Sequence, residues 1–142
     1  METVRVEVGR PERLTFGDVQ RGSDGVVLSM VVAAELNGLT ARRDVVSHYK
    51  NGFDDLALLF TDLAEHWRGW SGTKDYRSIE GDLLLQADHT GSHVELHFTL
   101  QDSEFHNSWS ARGKLTLDAG EELARVSEDL KKLFSPPQEP IR

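Results

Sequence analysis

"VVLSMVVAAELNGLTARRDVVSHY", residues 26–49, reads as two extended runs joined by Asn37-Gly38. Asn and Gly both tolerate positive φ, which a two-residue hairpin turn demands, so the dipeptide predicts an antiparallel hairpin. With Leu36 opposite Leu39, Met30 faces Val45 and Val26 faces Tyr49. Side chains alternate along a strand, which groups Val26, Leu28, Met30 and Val32 on one face and Val27 and Val31 on the other. Apolar residues on both faces predict a strand covered from both sides. A membrane helix is disfavoured: Ser29 interrupts the run, Glu35 ends it, and about 20 apolar residues would be needed.

The same periodicities extend outward. "TVRVEV", residues 3–8, alternates, with Val4, Val6 and Val8 on one side. "RLTFGDV" after Pro11 predicts a second strand. "NGFDDLALLFTDLAEHWRG", residues 51–69, predicts a helix whose apolar stripe is Phe53, Leu56, Leu59, Phe60, Leu63 and Trp67. Asp54 and Asp55 suit the positive end of its dipole, and Gly69 stops it. "WSGTKDYRSI" reads as a loop or a short edge strand. "GDLLLQADHTGSHVELHFTLQD" predicts a hairpin turning near Thr90-Gly91, with His89 in the turn.

After the loop "SEFHN", the run "SWSARGKLTL" alternates, with Trp109, Ala111, Gly113, Leu115 and Leu117 inward. The last helix opens with Asp118 three residues before Glu121, in the manner of a capping box. It buries Leu123, Val126, Leu130, Leu133 and Phe134. No internal sequence repeat is visible. The expected fold is therefore α+β: a mostly antiparallel sheet of about six to seven strands, in the order ββββ-α-βββ-α, with two amphipathic helices. Residues 1–134 form one domain, and the proline-rich 135–142 a flexible tail.

"HTGSHVELHFTL", residues 89–100, raises the question of chemistry, because His93, Glu95 and His97 share one strand face. Two imidazoles and a carboxylate could hold a small ligand or a transition metal, the alternative to a protein-binding role. Against this, His93 and His97 are separated by about 13 Å along an extended strand, close to the limit that one zinc ion can bridge. A wetted strand face is the stronger reading, with Val94, Leu96, Phe98 and Leu100 turned to the core. There is no phosphate-binding glycine loop, nucleophile elbow or helical HExxH motif. With no cysteine, thiolate chemistry is excluded. The expectation is a non-enzymatic protein without a cofactor.

The 142 residues carry 24 acidic against 16 basic side chains, a formal charge of -8. That balance repels phosphate backbones and attracts basic partners, so nucleic acid and membrane are not expected and a basic protein is. The candidate partner-binding residues are the acids and aromatics expected at the surface: Asp54, Asp55, Asp62 and Glu65 on the first helix, Trp70 beyond it, and Asp102, Glu104 and Phe105 near the later loop. The charged, alternating N-terminus does not read as a secretory leader, and the absence of cysteine fits a reducing cytoplasm. A homodimer burying the stray tryptophans is a further reading.

"IEGDLLLQADHTGSHVELHFTL" followed by "WSARGKLTLDAGEELARVSEDL" resembles a family of small uncharacterised actinobacterial proteins. These share an acidic helix ending near a tryptophan, a glycine-turned hairpin, a tryptophan-led strand and an "AGEEL" helix. More distantly, the same order is similar to the WapI-type immunity proteins, which neutralise bacterial toxin domains. The likeness covers residues 52–134 and rests on structural positions. It implies an immunity role against a basic toxin domain and transfers no functional residue.

Overall fold

The computed structural model describes residues 5–103 and 108–136. Four strands come first: β1 (Arg5–Val8), β2 (Arg13–Arg21), β3 (Val27–Leu36) and β4 (Leu39–Val46). Helix α1 (Asp54–Glu65) follows, then β5 (Thr73–Arg77), β6 (Leu83–His89), β7 (His93–Gln101), β8 (Ser110–Asp118) and helix α2 (Glu121–Phe134). The fold is α+β, as expected. The strands, however, form two antiparallel four-stranded sheets ordered β1-β2-β3-β4 and β5-β6-β7-β8, rather than one sheet of six to seven. The edge strand β5 supplies the additional strand, and the chain reads ββββ-α twice. This repeat of topology has no counterpart in sequence.

The Asn37-Gly38 hairpin forms as expected. Gly38 adopts φ 85, and the ladder pairs Leu36 with Leu39 and Met30 with Val45. The expected pairing of Val26 with Tyr49 does not occur, because the ladder begins at Ser29 and Val46. Against β2 the register is irregular: Gln20 pairs with Ser29, but the next residue, Arg21, pairs with Val27. Leu28 is the extra residue in this β-bulge. The alternation therefore breaks. Val27 is buried with Met30 and Val32, whereas Val26 and Leu28, expected on that same buried face, are exposed. The opposite face, carrying Val31 and Ala33, is half-buried rather than covered.

One core joins both sheets and both helices. Val6 and Val8, Leu14 and Phe16, Val94 to Leu100 at alternate positions, and the stripes of α1 and α2 all enter it. The helices meet through Thr61 and Ser127, whose hydroxyl oxygens lie 3.0 Å apart. Trp67 is not part of the α1 stripe: the helix ends at Glu65 with His66 as its cap, and Trp67 lies exposed beneath the Arg68 guanidinium at 5.1 Å. The expected capping box does not form at α2, whose cap is Gly120 with no side-chain hydrogen bond, and the carboxylate that reaches back to Asp118 is that of Glu122 rather than Glu121. Its Oε1 accepts from the Asp118 amide at 3.3 Å, and Oε2 accepts from Gly9 at 3.3 Å. Asp118 Oδ1 in turn accepts from the Gly120 amide at 2.6 Å.

The two halves are also tied by charge. Arg43 on β4 places Nε 3.4 Å from Asp82 Oδ2 and Nη2 3.3 Å from Asp102 Oδ1. Asp82 is 2% exposed, and its Oδ1 accepts from the Ser103 amide at 3.0 Å and from the Ser103 hydroxyl. Ser108 donates to Asp102 Oδ2 at 2.8 Å. Arg42, one residue earlier, points to the opposite face and meets Asp18 at 3.4 Å, the alternation that an extended strand imposes.

Candidate functional site: the acidic face of α1

Residues 54, 55, 58, 62 and 65 fall on the side of α1 opposite its buried stripe, since positions three, four and seven apart are neighbours on a helix. Asp54, Asp55 and Glu65 are exposed, and none of their side chains makes a hydrogen bond or an ion pair among the described residues. Between them stands Leu58, 62% exposed. A leucine open to water within a ring of carboxylates contributes nothing to the core. It was discernible in the sequence as the one leucine of "DDLALLFTDL" off the apolar stripe, yet it was not among the expected partner-binding residues.

Asp62 differs from its neighbours. Its Oδ2 accepts from Lys74 Nζ at 2.7 Å and its Oδ1 lies 2.9 Å from His66 Nδ1. The Lys74 hydrogen bond holds the Asp62 carboxyl below its usual 3.8, reinforced by the charge of Lys74 and by His66. Beneath the start of the helix, burial pushes the Tyr76 hydroxyl well above the ordinary range, and the nearby Asp55 charge adds to this. The α1 face thus presents three unpaired acids and one internally neutralised one.

The other expected positions are dispersed. Trp70 is half-buried. Its Nε1 donates to the Ala87 carbonyl at 3.3 Å, and its ring meets His89 edge-on at 5.1 Å. His89, expected in the turn, is the last residue of β6. Its Nδ1 accepts from the Gly91 amide at 3.0 Å and its Nε2 lies 2.8 Å from the Trp67 carbonyl, so Nε2 carries the proton. Asp102 belongs to the Arg43 cluster described above. Glu104 and Phe105 lie outside the described residues.

His93, Glu95 and His97 do share the outer face of β7, and each is engaged separately. His93 Nδ1 lies 3.0 Å from Ser92 Oγ, Glu95 forms an ion pair with Lys114 Nζ at 3.0 Å, and His97 Nε2 is 3.9 Å from Asp88. Among the described residues, no group of three or more acidic or histidine side chains converges as a metal site. No helix among them is long and apolar enough to cross a membrane.

An antiparallel double-sheet α+β domain with an open acidic helix face is the class that these observations define. Residues 5–137 match a family of unknown function, DUF6228, and the chain belongs to that family. No curated protein and no solved structure gives a match to the chain.

Proposed function

We propose that this chain works by binding a basic protein through α1, and that it is not an enzyme. The observation that carries the reading is Leu58, exposed at the centre of Asp54, Asp55, Asp62 and Glu65. An apolar anchor ringed by charge is the anatomy of a protein-contact patch: the apolar group gains from desolvation, while the acids steer a cationic surface into register. The formal charge of -8 supports this at long range. Within this reading, the finer role is that of an immunity protein which occludes a basic toxin domain in the cytoplasm. The distant likeness to WapI-type proteins supports it.

Site-specific photocrosslinking tests the reading. A benzophenone amino acid in place of Leu58, in cells of the source organism, is expected to capture one basic protein that the same probe at Thr99 does not. Capture should weaken in the Asp54→Asn/Asp55→Asn background. Equal capture from both positions would contradict the assignment. For the finer role, the captured protein expressed alone should arrest growth, and co-expression of the chain with it should restore growth.

A further inference from the structure

At the N-terminal end of α1, a cavity of about 220 Å³ opens beside the acidic face. Its floor is Val27, Phe53 and Phe134; Val26, Lys50 and Asp54 stand at its mouth. Val27 and Phe53 belong to the core, and the Phe53 and Phe134 rings stack 5.2 Å apart with their planes inclined by 29°. On the scale of volume alone, a closed apolar cavity of about 150 Å³ accommodates a benzene-sized ring. Next to Lys50 in the chain, Tyr49 is 80% exposed, stacked on His48 at 4.6 Å. Lys50 Nζ sits 5.9 Å over the Tyr49 ring.

We propose that this cavity is the anchor pocket of the α1 surface: it takes one bulky apolar side chain from a lysine- or arginine-rich segment lying along Asp54, Asp55, Leu58 and Glu65. The inference rests on the α1 reading and adds to it the chemistry of the partner. Two observations support it. Asp54 both lines the cavity and begins the acidic face, so one segment can reach both. The charge also selects the occupant. The open carboxylates of Asp54, Asp55 and Glu65 outnumber the Lys50 ammonium at the mouth, so a basic segment lying along them meets a net opposite charge. An apolar floor with a polar mouth is the arrangement in which a single buried side chain dominates binding energy.

The test uses two fluorescent lysine-rich twelve-residue peptides, identical except for a central tryptophan or alanine, titrated into the full chain at low salt. The tryptophan peptide should bind at least about tenfold more tightly, the factor that roughly 1.4 kcal/mol of anchoring gives. Val26→Trp, which fills the mouth from an exposed position, should erase that preference. Asn51 also lines the cavity, and Asn51→Phe provides an independent obstruction should Val26→Trp fold poorly by circular dichroism. Equal binding of both peptides, weakened by Asp54→Asn/Asp55→Asn, would overturn the pocket and leave the α1 face standing. Binding of neither peptide would overturn both. Dimerisation by light scattering, abolished in Val26→Trp, would show that the occupant is a second copy and refute the basic segment.

Discussion

Arg43 on the fourth strand and Asp82, thirty-nine positions later, form an ion pair across the two sheets at 3.4 Å. Asp82 is almost wholly buried, and both hydrogen bonds from Ser103 reach its other oxygen, Oδ1. Removing one partner of such a pair leaves a buried charge uncompensated, which costs about 3–5 kcal/mol. Arg43→Ala, which leaves the Asp82 carboxylate buried without its cation, should therefore lower the free energy of unfolding in urea by that margin at an unchanged slope. A loss below roughly 1 kcal/mol, the value of a surface pair, would show that the pair does not join the halves.

Packing supplies a second expectation. A Cβ on Gly113 would stand 2.6 Å from two ring carbons of Phe98 and 2.9 Å from Leu36 Cδ2. Phe98 is in the core and cannot retreat to solvent. Gly113→Ala should destabilise the fold by about 1–3 kcal/mol, the usual cost of overpacking. Gly38→Ala meets no atom within 4 Å but needs φ 85, so its cost comes from the backbone alone. Thermal unfolding of the two variants separates these causes: trimming Phe98 to Leu should rescue the first and leave the second unchanged.

Much of this architecture was legible in the chain. Asn37-Gly38, the alternation from Val94 to Leu100 and the two helical stripes act through local periods, which a single sequence displays. The division into two sheets was not legible, because alternation shows that a strand has a buried face without showing which edges meet. Leu28 was misplaced for a related reason: a bulge adds one residue without changing the composition around it. Trp67 continued the helical spacing on paper, but the helix had already ended at Glu65. At the candidate site the acids of α1 were foreseen, while the cavity was not. Val27, Phe53 and Phe134 come together only in three dimensions.

Proton linkage gives a third expectation. Hydrogen-bonded to Lys74, Asp62 titrates below its unfolded value, so the folded state binds fewer protons in that window and stability rises with pH there. The contribution is present above 3.8 and is lost as pH falls through the lower folded value. Because the Asp62 side chain is 39% exposed, solvent screening keeps the effect small. Asp62→Asn should flatten the acid limb of the stability curve, as read by urea unfolding between about pH 2 and pH 5. A steeper limb would contradict the Lys74 pairing.

For Tyr76 the sign is reversed. Its hydroxyl is raised by burial, so the folded state holds the proton more tightly and stability is lost as pH climbs above the unfolded value of 10.0. Tyr76→Phe should remove this alkaline loss. Ultraviolet absorbance of phenolate should show Tyr76 ionising together with unfolding, rather than before it.

The most direct measurement of the central claim compares two triple variants that remove the same charge. Asp54→Asn/Asp55→Asn/Glu65→Gln clears the α1 face, and Asp75→Asn/Glu80→Gln/Glu121→Gln clears exposed acids elsewhere. Titrated with the tryptophan-bearing lysine-rich peptide at low salt, the first variant should lose at least about tenfold in affinity, while the second stays within about twofold of the unaltered chain. Equal losses in the two variants would mean that net charge alone attracts the peptide and that α1 is not a binding face.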